Sequence, residues 1–186
     1  MSYIKDFNKA NKDVSKFLSF INDLTSNGSK IIEIETSDND VLQMFDKYSG
    51  VDAIQVTKDN QLRGVAMRVQ YGKAWNTFTI RYKRSSGSKT EYEKRVDAIE
   101  NEKMYPQLTV QCFLSSDSKE ILSVGIIRTK DLYDQLKDKS IVNFRQAKED
   151  GNTFIWTRWQ DLKGLLFYLK DDGVYYNGKN EVRRVA

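Results

Sequence analysis

The chain has 186 residues, of which 39% are hydrophobic and 30% charged, and its formal net charge is +4 at pH 7. This size and composition are typical of a single domain with its own hydrophobic core and a charged surface. The chain contains no histidine and one cysteine, which excludes histidine-dependent catalytic triads, an internal disulfide, and metal sites built from histidines or several cysteines.

The N-terminal quarter changes from a helical to a strand-like pattern. Over residues 3–25 apolar side chains recur every three or four positions, which predicts an amphipathic helix. Residues 30–36 alternate as a short strand, and the segment 37–40, SDND, offers a cap for a helix ending near Gly50. No secretory signal pattern and no apolar run of about 20 residues is present, so we expect an intracellular, cytoplasmic protein.

A predicted β-hairpin follows. Residues 50–72 contain two alternating segments around a polar turn. The second segment places two sets of side chains on opposite faces. The apolar set is Val65, Met67 and Val69, and the opposite set is Ala66, Arg68 and Gln70. Residues 76–84 are a third alternating run, and the S/T-x-x-E pattern of Thr90 and Glu93 then predicts a capped helix.

The C-terminal half is predicted to be rich in strands. Alternating or apolar runs that predict strands occupy residues 108–114, 121–129 and 152–159. Thr129 is expected to cap a helix, and residues 161–169 are predicted to form a short apolar helix. Residues 173–185 are predicted to form a hairpin that turns on Asn177-Gly178, a dipeptide favoured in type I′ turns.

The order of these elements predicts the fold class. Strands and helices alternate along much of the chain, which indicates an α/β fold, or an α+β fold, with a mixed central sheet flanked by helices. We divide the chain into a core, residues 1–140, and a C-terminal extension, residues 141–186, packed on the same domain.

The most basic part of the chain is the segment 73–95. It carries seven positive charges against two glutamates, namely Lys73, Arg81, Lys83, Arg84, Lys89, Lys94 and Arg95. Aromatic side chains are interleaved with them, at Trp75, Phe78, Tyr82 and Tyr92. A strand, a Gly/Ser loop and a helix start of this charge would suit contact with phosphates. The alternative is a solvated strand face whose Lys and Arg stems cover apolar surface.

Residues 45–84 and the capped helix after them resemble a known nuclease core. The sequence "FDKYSGVDAIQV…LRGVAMRVQYG…FTIRYKR" is similar to the core of the PD-(D/E)XK, or restriction-endonuclease-like, nucleases. That core has a helix, a strand with a metal-binding Asp, and a strand with an acidic residue or Gln and then Lys two positions later. A further strand and helix follow. The resemblance covers roughly residues 3–128.

The resemblance implies a metal-dependent site. It places the family's aspartate on Asp52 and its acidic-or-Gln position on Gln70, with Mg²⁺ as the cofactor and Mn²⁺ as a substitute. The family's lysine would fall on Gly72, so Lys73 or Lys83 would have to supply the ammonium group. A further acid would come from one of the nearby carboxylates, Glu33, Glu35, Asp40 or Asp46. The absence of histidine is consistent with an oxygen-ligated ion.

Two functions follow from the resemblance, and both involve nucleic acid. In the first, the protein is a DNA-binding, Mg²⁺-dependent endonuclease of the kind common in phages and mobile elements. In the second, which the missing lysine at Gly72 favours, it is an inactive binder of DNA, RNA or a nucleoprotein partner, acting in defence or counter-defence. In both, the residues that bind the phosphate backbone would be Arg68, Arg81, Arg84, Lys89, Lys94 and Arg95.

Several of these residues also have an ordinary structural explanation. Asp52 could bind backbone N–H groups at a strand end, or pair with Arg68. Trp156 and Trp159 could stack on bases or pack in the core. A third function depends on the apolar stretch 153–169, which could form a homodimer or partner surface. Cys112, which alternates with apolar neighbours, is expected to be a core thiol.

Overall fold

The computed structural model describes residues 18–25, 30–34, 40–44, 49–147, 150–178 and 182–184. The helices are α1, residues 18–25, α2 Asp40–Met44, α3 Glu91–Glu100 and α4 Thr129–Gln135, with a 3-10 turn at Trp159–Asp161. The strands are β1 Lys30–Glu33, β2 Ala53–Val56, β3 Leu62–Tyr71, β4 Thr77–Lys83, β5 Leu108–Leu114, β6 Ile121–Arg128, β7 Asn143–Gln146, β8 Thr153–Arg158, β9 Leu165–Leu169, β10 Gly173–Asn177 and β11 Val182–Arg184. The rest of the predicted helix 3–25 lies outside the described residues.

The strands form two sheets of unequal size. The large sheet has the order β1-β2-β3-β5-β6-β9-β10-β11, in which β3 and β5 are parallel and the other pairs are antiparallel. The small sheet is antiparallel, with the order β4-β8-β7. The predicted mixed sheet with helices is confirmed in this coarse form, and the architecture is α+β.

Two clusters of buried side chains hold the domain together. Since alternate residues of a strand point to opposite faces, the large sheet contributes to both clusters. The first cluster includes Leu18 and Ile21 of α1 and Val65, Val110 and Cys112 of the sheet. The Cys112 side chain is a core thiol, as expected, and burial raises its pKa to about 12.

The second cluster connects the two sheets. It contains Phe113 and Ile127 of the large sheet, Phe78, Ile80 and Ile155 of the small sheet, Leu132 and Tyr133 of α4, and Trp159. The small sheet is therefore fixed to the large one by its apolar face. Its opposite face does not belong to this cluster.

Local signals in the first half of the chain predicted the structure well. The hairpin β2–β3 is present, and Val65 belongs to the first buried cluster while Met67 and Val69 pack against it, as the alternation predicted. The capping box of α3 is complete, because the Glu93 N–H donates to Thr90 Oγ1 over 3.2 Å and the Thr90 N–H donates to Glu93 Oε2 over 2.7 Å.

The predicted apolar helix 161–169 is wrong. The chain makes a single 3-10 turn at Trp159–Asp161, and Leu165–Leu169 is strand β9, paired with β6 and β10. A short apolar run is typical of a buried strand as much as of a buried helix, and periodicity alone does not separate the two.

The predicted helix cap at Thr129 and the predicted turn position of Asn177 are also wrong. Thr129 is the first residue of α4 rather than its cap, and its hydroxyl lies 2.8 Å from the hydroxyl of Thr109. The predicted C-terminal hairpin is present, since β10 pairs with β11, but Asn177 pairs with Val182 and is therefore a strand residue of β10 rather than the first residue of the turn, part of which lies outside the described residues. Its side-chain amide instead donates to the carbonyl oxygens of Leu162 and Gln160, the second over 3.3 Å.

Residues 141–186 take part in both sheets. Strands β7 and β8 complete the small sheet with β4, and β9 to β11 extend the large sheet beyond β6. The described residues after 140 are therefore structurally continuous with the residues before them, and the small sheet exists only because residues far apart in the chain come together.

Candidate nucleic-acid interface

Asp52 lies immediately before β2 and is bound by backbone groups. Its Oδ2 accepts a hydrogen bond of 2.5 Å from the Met67 N–H, and its own N–H donates to Val65 O over 2.9 Å. Its carbonyl accepts from the Ile34 N–H over 3.0 Å. The carboxylate thus continues the β2–β3 pairing by one hydrogen bond, which is the structural explanation given above for this residue.

Asp52 and Gln70 do not fit a common Mg²⁺ ion. The pair Ala53–Val65 places Asp52 beside Ala66. Gln70 lies four residues further along β3, which corresponds to about 13 Å of backbone along the strand. Two oxygens that ligate one Mg²⁺ ion at about 2.1 Å must lie within about 4 Å of each other. Within the described ranges, no three acidic, cysteine or histidine side chains are grouped so that they could hold a metal ion.

The two candidate lysines lie apart from Asp52. The Lys73 ammonium is 4.7 Å from the centre of the Trp75 ring, beyond Gly72, whose φ of +94° turns the chain away from β3. Lys83 is at the end of β4 in the small sheet, where it pairs with Thr153. The structure therefore does not assemble an Asp–Gln–Lys group.

The additional acids do not complete the site either. Glu33 pairs with Ala53, whose side chain belongs to the first buried cluster, and burial raises the pKa of the Glu33 carboxyl. Asp40 is an exposed residue in the first turn of α2. Glu35 and Asp46 lie outside the described residues.

Arg95 has a structural role, which corrects the predicted phosphate contact at this position. Its side chain is only 7% exposed, and its guanidinium donates to the carbonyl oxygens of Ser49 and Gly50, the second over 2.6 Å. Gly50 has a φ of +57°, and a Cβ there would lie 2.8 Å from the guanidinium. Arg95 thus fastens α3 to the segment that leads into β2.

Arg68 is half-buried where the two sheets meet. Its Nη1 donates to Thr79 O of β4 over 2.6 Å and lies 3.8 Å from the Glu91 carboxylate. Its guanidinium carbon is 5.8 Å from the centre of the Phe154 ring, and that of Arg81 is 5.6 Å from the same ring. Arg68 is therefore partly neutralised, whereas Arg81 has an aromatic neighbour and no ion pair within the described part of the chain.

The remaining predicted cations lie around the loop between β4 and α3. Lys83, Lys89 and Lys94 are exposed and Arg84 is half-buried. The loop is held by a hydrogen bond of 3.2 Å from the Ser85 N–H to Asn152 Oδ1, which joins it to the turn before β8. These cations form a basic rim at one end of the small sheet.

The small sheet has one buried and one open face. Directly paired residues of an antiparallel sheet project to the same side, and the buried side carries Phe78, Ile80, Ile155 and Thr157. The other side, here called the open face, has three rows, Thr77–Arg158, Thr79–Trp156–Asn143 and Arg81–Phe154–Arg145. None of the residues in these rows is buried.

The open face is basic and aromatic. Its rows contain three arginines and no carboxylate. Arg145 and Arg158 are exposed, and neither forms an ion pair with any described residue. Phe154 and Trp156 are half-buried between them. Arginine guanidinium groups and aromatic rings are the groups with which proteins contact phosphates and unstacked bases.

Sequence reasoning missed Arg145 and Arg158. Both lie far along the chain from the basic segment 73–95, so the density of local charge did not mark them. A signal was present, because Arg158 has the same alternation as Phe154 and Trp156 in β8. That signal becomes informative only once β8 is known to pair with β4 and β7.

The two tryptophans of this region have different environments. Trp159 is 2% exposed and packs in the second cluster, whereas Trp156 lies on the open face. Ile155, Leu162 and Leu165 are buried as well. Four apolar residues of the stretch 153–169 are thus buried, while the others, Trp156 among them, are half-buried. The homodimer or partner surface predicted for this stretch stays a prediction.

A comparison of the chain with protein-family models, with curated proteins and with solved structures finds no match. None of the helices in the described ranges is long and apolar enough to cross a membrane. The function is therefore inferred from the chemistry of the open face and its basic rim.

Proposed function

We propose that this protein binds nucleic acid through the open face of the small sheet, without cleaving it. One observation carries the proposal, namely the three arginines of the open face, which lie beside two aromatic rings with no carboxylate among them. Contacts of Lys and Arg with phosphates supply a large share of the affinity in protein–nucleic acid complexes. An arginine without an ion partner can make such a contact without first breaking another one.

The basic rim supports the same proposal. Lys83, Lys89 and Lys94 are exposed at the end of the small sheet where Arg81 and Arg145 lie. A strand of nucleic acid that crosses the open face would therefore continue toward further positive charge. Long Lys and Arg side chains can follow a polyanion with little constraint on its sequence.

The geometry around Asp52 favours a binder over an endonuclease. The Asp52 carboxylate is bound by the Met67 N–H, and Gln70 is too distant to share an ion with it.

A restriction-endonuclease-like origin of the core belongs to this proposal. The chain order α2, β2, β3, β4, α3 supports such an origin, although β4 leaves the large sheet. The binder would be a form of that core without the metal site.

The direct test is a salt titration of binding. Fluorescence anisotropy would be measured with a labelled oligonucleotide at about 50 and about 200 mM salt. The double variant Arg145→Ala/Arg158→Ala should bind more weakly, and the slope of log K against log salt should fall by about 2, one unit for each lost phosphate contact.

The matched control removes the same charge elsewhere. Lys58→Ala/Lys119→Ala changes two exposed lysines in turns of the large sheet, with the same effect on net charge. We expect this variant to bind almost like the wild type. Equal losses in the two double variants, or no binding by the wild type at low salt, would overturn the proposal.

A cleavage assay tests the non-catalytic part of the proposal. Labelled DNA would be incubated with the wild type and Mg²⁺ or Mn²⁺, beside an EDTA control and Asp52→Asn. We expect no metal-dependent cutting. Cutting by the wild type that EDTA and Asp52→Asn both abolish would make the protein an endonuclease after all.

A further inference from the structure

We infer that the ligand of the open face is single-stranded nucleic acid, with one base stacked on Trp156. The inference rests on the proposed function and adds to it the form of the strand and the position of a base. Its starting point is the middle row of the open face, Thr79–Trp156–Asn143, which places one aromatic ring between two uncharged polar side chains.

The Trp156 ring has no aromatic or cationic partner among the described residues, whereas Phe154 already has Arg68 and Arg81 close to its ring. Trp156 is also half-buried, so its position is fixed by its neighbours. Partly exposed aromatic rings on a basic surface are the platforms on which proteins stack unpaired bases.

The two neighbours of Trp156 can bind the edge of a base. Thr79 and Asn143 pair directly with it from the two adjoining strands, and such cross-strand neighbours have Cβ atoms about 4.5–5.5 Å apart. A Thr hydroxyl and an Asn amide both donate and accept hydrogen bonds. A base on the indole would therefore have polar partners on two sides.

Phosphate contacts are available on both sides of this base. Arg158 lies one row away in one direction along β8, and Arg81 and Arg145 lie one row away in the other. Adjacent rows on one face are about 6.6 Å apart, twice the rise per residue of a strand. A strand running along β8 could thus bind phosphate, base and phosphate in succession.

A duplex does not meet these requirements. Stacked bases in duplex DNA are separated by about 3.4 Å along each strand, so their faces are covered by their neighbours. A base can stack on Trp156 only after it has left such a stack, which single strands permit at little cost. The open face therefore selects the single strand, of DNA or of RNA, by stacking rather than by charge.

The first measurement compares probes that share charge but differ in accessible bases. The probes are a labelled single-stranded DNA of about 15 nucleotides, the RNA of the same sequence, and the corresponding DNA duplex. Trp156→Leu should weaken binding of a single strand about 5- to 150-fold and leave duplex binding unchanged. The DNA and RNA probes show which strand the face prefers. Trp75→Leu is the matched control, since Trp75 is 63% exposed but lies outside the three rows.

The second measurement uses tryptophan fluorescence and does not depend on a large substitution. The chain has three tryptophans, and base stacking should quench the one on the open face. We expect the unlabelled single strand to quench the wild type and Trp75→Phe alike, and Trp156→Phe much less. Circular dichroism would establish that each variant is folded.

The outcomes separate this inference from the proposed function. If single strands and duplex bind equally, or if Trp156→Phe is quenched like the wild type, the stacking inference is overturned while charge-based binding remains. If no probe binds the wild type at low salt, both are overturned. Preference for single strands that depends on Trp156 supports both.

Discussion

The two faces of the small sheet are built from the same strands and have opposite properties. Alternate residues of β4 and β8 give Phe78, Ile80 and Ile155 on one face, each at most 4% exposed. The residues between them give Arg81 and Trp156 on the other face, neither of which is buried. If the open face binds nucleic acid as proposed, stability and binding depend on neighbouring residues, and substitutions should separate the two properties.

The largest difference is expected between the two tryptophans. Trp159→Ala should lower the free energy of unfolding by about 3–5 kcal/mol, because it removes a buried ring from the second cluster. Trp156→Ala, three positions earlier, should cost less than half as much. Urea unfolding followed by circular dichroism would measure both. Equal losses would mean that the open face is as important for folding as the buried face.

The same comparison can be made with two arginines. Arg95→Ala should cost about 1.5–3 kcal/mol, because the carbonyl groups of Ser49 and Gly50 lose a charged donor. Arg145→Ala should change stability by no more than about 0.5 kcal/mol, as is usual for an exposed residue. Nucleic-acid binding should respond in the reverse order. If Arg145→Ala unfolds the protein more easily than Arg95→Ala, the assignment of the two side chains is wrong.

A smaller effect is expected from Gly125→Ala, which tests how tightly the buried face is packed. A Cβ at Gly125 would lie 2.6 Å from the Trp159 ring, and overpacking of this kind typically costs about 1–3 kcal/mol. The smaller ring in a Trp159→Phe background should reduce the cost of Gly125→Ala, since the two positions are in contact. Thermal unfolding of the single and double variants would show this coupling, and simple additivity would contradict it.

The smallest effect concerns Glu33, an ionisable residue on the inward side of the large sheet. Burial raises the pKa of its carboxyl above the ordinary value of 4.5, so the folded protein binds the proton more tightly than the unfolded chain does. Glu33 therefore favours folding at low pH, and this contribution is lost as the pH rises through the folded-state pKa. Glu33→Gln should be more stable than the wild type at neutral pH, by up to about 0.5 kcal/mol.

Thermal melts at several pH values would check the effect at Glu33. The advantage of Glu33→Gln should shrink as the pH falls through the raised folded-state pKa toward 4.5, and it should be absent below 4.5, where the wild-type carboxyl is protonated in both the folded and the unfolded state. An advantage that grows toward low pH would have the wrong sign for a carboxyl penalised by burial.

The sequence predicted local features better than the site. The capping box of Thr90 and Glu93 and the faces of β3 depend on residues a few positions apart, and both are present in the structure. Charge density along the chain identified Arg81 but also suggested Arg95, which is buried. Density alone does not distinguish an arginine on a strand face from one that binds backbone carbonyls.

The sequence by itself determined the alternation within each strand, and therefore which residues share a face. Only the tertiary structure decided which strands are neighbours. Strand β4 pairs with β8, about 75 residues later, rather than with β3. Backbone hydrogen bonds between strands are the same for any sequence, so the choice of partner depends on how whole faces pack. That choice placed Arg145, Arg158 and Trp156 beside Arg81 and created the open face.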